Sequence, residues 1–177
     1  MAAAPIFRAF SSPVNDIWHY NGSQMATVER EQKMRSTART AEILGGKRVL
    51  GRGASSEKNL LPIIRSGLPH AAFESVMDIL DISREQAAAS LGLPKRTLAR
   101  RKLQARLTAD ESDRVYRFAR ITARAVDVLG NREKAARWLQ KPNRALGNEI
   151  PLRLLDTDLG TRQVETILGR IEHGVYS

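Results

Sequence analysis

An all-α fold is predicted for this chain by three features. No segment carries the apolar–polar alternation of a half-buried strand, whereas apolar residues recur at three- and four-residue spacing in several stretches. Two capping boxes, Ser83 with Gln86 and Thr108 with Glu111, mark where helices begin. Aromatics are only 5% of the 177 residues, so Leu, Ile, Val and Ala must fill the core. That length suits one domain or two small ones.

Met1 to Ser23 has Pro5, Pro13, Gly22 and no periodicity, and reads as a poorly ordered arm. Within it Trp18, His19 and Tyr20 form an apolar patch that suits docking on the body. Met25 offers an alternative start. Thr27 to Leu44 is rich in Glu, Gln, Lys, Arg and Ala and reads as a helix, closed by Gly45 and Gly46. Gly51 to Ser56 is a linker. Leu60 to Ile64 is a short apolar piece stopped by Gly67 and Pro69. His70 to Leu80 is a helix with Phe73, Val76, Met77 and Leu80 inward, and Arg84 to Leu91 is a second. Gly92-Leu93-Pro94 breaks it, and a third runs from Lys95 to Arg106 on Leu98 and Leu103.

Further on, Thr108 opens a long helix to Leu129 with Val115, Phe118, Thr122, Val126 and Leu129 on one stripe. Arg114, Arg117, Arg120 and Arg124 lie elsewhere around it, as a DNA contact or a solvated face. Asn131 caps the next helix, Arg132 to Gln140, with Ala135, Ala136, Trp138 and Leu139 inward. Pro151 starts a short helix through Leu155. Asp158 to His173 follows, carrying Val164, Ile167, Leu168 and Ile171, with Gly174 as its stop.

Charge and spacing point to a polyanion partner. Lys and Arg number 29 against 19 acidic residues, a net charge of +10. The excess is +5 in residues 1–70, +3 in 71–107 and only +2 in 108–177. Ala88, Gly92 and Leu98 suit a helix-turn-helix, with a small residue at the crossing, a glycine for positive φ in the turn, and an anchor on the second helix. From Lys95 to Arg106, six of twelve residues are basic and none is acidic, which a solvated face seldom shows. Lys95, Arg96, Thr97, Arg100 and Arg101 are the candidate DNA-binding residues, the first three at the helix start where base edges are reached.

Enzyme chemistry finds little support. With no cysteine there is no disulfide, thiolate zinc site or cysteine nucleophile. His19, His70 and His173 lack ligand spacing. Gly51-Arg52-Gly53 lacks the rest of a dinucleotide fingerprint, and no Walker motif occurs. The expectation is a non-catalytic protein that needs no cofactor or metal. No apolar run is long enough to span a membrane, and a cytoplasmic location is expected.

One stretch goes further. Asn131 to Ser177 contains A-x-x-W-L, P-N-x-A-L-G, P-L-x-L-L-D-T and G-x-x-x-V-x-x-I-L-x-R-I-E-H-G-V-Y-S. This resembles the C-terminal domain of the Xre/MbcA/ParS family of type II antitoxins. R-T-L-A-R-R at Arg96 to Arg101 and E-S-D-R at Glu111 to Arg114 resemble the helix-turn-helix half of the same proteins. The resemblance divides the chain into an arm with a helix, partly disordered, at 1–59, a helix-turn-helix domain at 60–107, and a helical dimerisation and toxin-binding domain at 108–177. It implies a homodimer that represses its own operon by binding operator DNA and neutralises a RES-domain toxin that consumes NAD, in a higher-order complex. A stand-alone dimeric regulator without a toxin is the alternative. The apolar stripes of Val115 to Leu129 and Val164 to Ile171 are expected to hold the dimer. Toxin contact is expected from Arg170, His173, Val175, Tyr176 and Ser177. A tyrosine and a free carboxylate at a helix end suit a plug, although Tyr176 folded back on the core is the competing reading.

Overall fold

In the computed structural model, residues 14–54 and 56–174 are described. Helix α1 spans Val14–Ile43, α2 Gly46–Leu50, α3 Glu57–Ser66, α4 His70–Leu80, α5 Arg84–Ser90 and α6 Lys95–Gln104. The long α7 spans Ala109–Leu129, α8 Arg132–Gln140 and α9 Asp158–Glu172, with 3-10 turns at Arg144–Leu146 and Pro151–Asp156. Among the described residues there is no strand, only isolated bridges from Pro69 to Arg106 and from Asn143 to Glu149. The fold class is all-α, as the missing alternation predicts.

Both predicted capping boxes form. The Ser83 hydroxyl accepts from the Gln86 N–H while the Gln86 side chain accepts from the Ser83 N–H, and Thr108 and Glu111 do the same for α7. Asn131 and Thr157 cap α8 and α9 through side-chain oxygens. Two parts of the N-terminal region differ from the sequence reading. Residues 14–23, read as arm, belong to α1, because a helix nucleated in the Ala- and Glu-rich segment extends cheaply once formed. The short α2 follows the two glycines, where no helix was expected. Residues 1–13 lie outside the described part, as do the side chains of Trp18, His19 and Tyr20.

Internal contacts divide the chain after Lys33, and the core lies in the second unit, Met34–Ser177. Its centre is α7, which packs against α3, α4, α8, α9 and the 3-10 turn at Pro151–Asp156. Ile121, Thr122 and Ala123 are consecutive and all fully buried, so this helix is covered on more than the one face its stripe foretold. The Thr122 hydroxyl is satisfied by donating to the Phe118 carbonyl at 2.9 Å. The core runs without a break from Ile43 to Leu168, through both halves of the unit.

This packing corrects two expectations. The stripes assigned to a dimer interface are used inside the chain: Val115, Phe118, Val126, Val164, Ile167 and Leu168 are all buried. Leu129 and Ile171 of the same stripes are only partly covered, so internal packing uses most, not all, of the apolar surface that suggested a dimer. Leu103, read as an anchor of the third helix, is 90% exposed. It stands on the outer side of α6, and Arg101 on the same helix is tied to Glu111 of the body.

Candidate functional site

Helices α5 and α6 and the turn between them form the predicted helix-turn-helix. Ala88 is buried at the crossing, and its carbonyl accepts from the Leu93 N–H at 2.9 Å, closing the turn. Gly92 has φ 61°, the left-handed conformation this turn requires. Pro94 precedes α6, and the Thr97 N–H donates to its carbonyl at 2.8 Å, so the first turn starts at once. Arg96 and Arg100 are exposed and Thr97 is half-buried. Neither arginine has an acidic partner among the described residues, in contrast to the paired arginines of α7. The side chains of Lys95 and Leu98 lie outside the described part.

Arg101 is placed differently. Its side chain is 14% exposed and its Nε donates to both oxygens of Glu111, at 2.7 and 3.0 Å. Glu111 is itself only 8% exposed at the side chain, and it also accepts from the Thr108 N–H at 2.8 Å. Burial alone would raise the Glu111 pKa. Hydrogen bonds from Arg101 and Thr108, with the Arg101 charge, outweigh that and hold it below the ordinary value. Arg101 therefore stands apart from Arg96 and Arg100, its charge balanced within the protein.

Further residues tie this region to the body in roles the sequence did not reveal. Arg114 of α7 donates to the Leu91 and Gly92 carbonyls at 3.1 and 3.3 Å, at the turn itself. Arg106 donates to the Gly67 carbonyl at 3.1 Å, and Leu107 and Leu68 pair through the backbone. Ser112 accepts from the Leu68 N–H at 2.7 Å. Their signal in the sequence was thin: Glu111 read as a cap and Arg114 as one of a run of surface arginines. Only the arrangement of the helices shows their second use.

The other candidate surface is the end of α9. Arg170 is exposed and His173 is 76% exposed, and Gly174 has φ 66°. Ion pairs from Arg120 to Glu165 and from Arg124 to Glu172 bind this helix to α7. Val175, Tyr176 and Ser177 lie outside the described residues. No group of His, Cys, Asp or Glu suited to a metal ion occurs among the described residues. Nor is any of their helices long and apolar enough to cross a membrane.

Comparison with known proteins decides what this pair of surfaces belongs to. Residues 60–120 match the antitoxin Xre-like helix-turn-helix domain, and residues 124–174 match the antitoxin Xre/MbcA/ParS C-terminal toxin-binding domain. The chain belongs to the Xre/MbcA/ParS antitoxin family. An antitoxin Xre of Photorhabdus laumondii is 36% identical over 132 residues, covering 73% of this chain and 89% of that protein. One of Yersinia enterocolitica is 35% identical with the same coverage, and one of Pseudomonas putida is 46% identical over 83 residues, 46% of this chain and 52% of that protein. Within this antitoxin, the boundary between the two matched domains falls inside α7. The helix that closes the helix-turn-helix domain also opens the toxin-binding one.

Proposed function

We propose that this antitoxin neutralises a RES-domain, NAD-consuming toxin by direct binding and represses its own operon through α5 and α6, with no catalysis of its own. The observation that carries the reading is the tandem match of a helix-turn-helix domain and a toxin-binding domain onto one continuous core. Arg96, Thr97 and Arg100, with Lys95 beside them, meet the operator. The first helical turn reads base edges, and the cations next to it meet phosphates. That Arg96 and Arg100 have no acidic partner among the described residues supports this, because such a cation is available to phosphate or guanine. Arg101 backs the helix from behind.

A single helix-turn-helix buries little surface on DNA, and a homodimer on two half-sites about one helical turn apart gives both affinity and specificity. Toxin contact falls to the end of α9, through Arg170, His173 and the residues that follow, Val175, Tyr176 and Ser177. The test is co-expression with a RES-type reading frame adjacent to this gene. The full chain is expected to preserve growth and NAD, and a chain lacking Val175 to Ser177 to lose that protection while still binding DNA. Full protection by the shortened chain would move neutralisation to another surface. For the operator, binding to the gene's own upstream duplex is measured at several salt concentrations. Equal affinity of wild type and the Arg96→Ala, Arg100→Ala double variant would refute the DNA assignment.

A further inference from the structure

We propose that Glu111 and Arg114, both on α7, are positioning residues for sequence recognition: they aim α6 without touching DNA. The inference rests on the DNA-binding reading above and deepens it.

The need for such residues follows from how α6 is built. Leu103 points away from the body at 90% exposure, and the helix packs chiefly against α5. Two polar ties from α7 bear on its direction. Arg101, on α6, reaches Glu111 with both carboxylate oxygens engaged. At the other end of α6, Arg114 holds the carbonyls of Leu91 and Gly92, the turn from which the helix departs.

The anchor points are themselves held by the core. Glu111 is held by the capping box at the α7 start, and α7 packs against α3, α4, α8 and α9 at the centre of the core. Both ends of α6 are thus referred to one rigid element. Reading base edges demands alignment within about half an ångström, whereas phosphate attraction tolerates far more. Loosening either tie removes sequence discrimination and leaves general attraction to DNA in place.

The sign of one substitution makes this testable. Glu111→Gln keeps a residue type that completes a capping box but removes a negative charge. By charge alone it strengthens binding to any duplex; by the positioning argument it weakens preference for the correct one. Affinity for the gene's own upstream duplex and for a scrambled duplex of equal length is measured across salt concentrations for the wild type, Glu111→Gln, Arg114→Gln and Arg101→Gln, with Arg100→Ala as the contact control.

The expected result is a fall of about tenfold in the ratio of the two affinities for each of the three Gln variants. Their affinity for the scrambled duplex at low salt holds or rises for Glu111→Gln, and their salt slopes stay at the wild-type value. Arg100→Ala lowers the slope by about one. Thermal melts show which variants are folded, and Arg114→Gln carries the test should the buried Glu111 variant unfold. Unchanged ratios for the folded variants, with a discriminating wild type, would overturn the inference alone. A slope reduced in Arg101→Gln as in Arg100→Ala would make Arg101 a phosphate contact and overturn it too. A wild type that does not distinguish the two duplexes would overturn the DNA-recognition reading first.

Discussion

Among the described residues, His70 and Glu111 are two buried titratable groups whose shifts act on stability in the same direction. Burial lowers the His70 pKa. Arg84 and Lys102 add to this, and Glu74, whose carboxylate is 3.6 Å from Nδ1, opposes it. The unfolded chain therefore binds a proton near the usual value of about 6.5 before the folded chain does, and stability falls as pH drops below that value, levelling off beneath the folded pKa. Glu111 is also lowered. Its stabilisation is complete above the usual value of about 4.3 and is lost as pH falls through the folded value. Two separate limbs of acid destabilisation are expected. Thermal melts of His70→Gln should lack the upper limb and keep the lower one, and an unchanged profile would show that His70 takes no part in it.

Helix α9 meets its neighbour through a glycine. Added at Gly160, a Cβ would stand 2.1 Å from the Leu154 carbonyl oxygen, on the 3-10 turn Pro151–Asp156. The glycine of the G-x-x-x-V string is thus needed for close approach of backbone to helix. Gly160→Ala is expected to cost ~1–3 kcal/mol of stability in denaturant unfolding, since neither backbone can yield without disturbing the core. The opposite is expected on α6. Leu103→Gln removes an exposed side chain, so its effect on stability should stay within about 0.5 kcal/mol. A large loss there would mean that Leu103 is covered in solution.

At the scale of the molecule, α7 prevents a clean separation of the two functions. Residues 108–177 alone would lose α3 and α4, against which α7 packs, and would expose the buried Phe118 and Ala119 among others. That fragment is expected to be poorly folded or aggregated by circular dichroism and sedimentation. Residues 34–177 retain every residue of the core cluster and should melt cooperatively. A well-folded 108–177 fragment would show that the C-terminal half has an independent core.

What the sequence determined by itself was local. Ser83, Thr108 and Asn131 cap helices through bonds to residues three positions on, and Gly92 supplies a positive φ that no neighbour has to arrange. The unmixed charge of Lys95 to Arg106 and the Asn131 to Ser177 string were equally legible, the first from composition and the second by resemblance. Which arginine does what was decided only by the tertiary structure. Arg100 and Arg101 are adjacent and alike in sequence, yet a helical turn of about 100° per residue sends one to solvent and the other to Glu111. The same holds for the stripes of α7 and α9. Periodicity shows that a face is apolar, but not whether it meets another part of the chain or a second copy. Here it meets the chain itself, because α7 is surrounded by elements drawn from both sides of it in sequence.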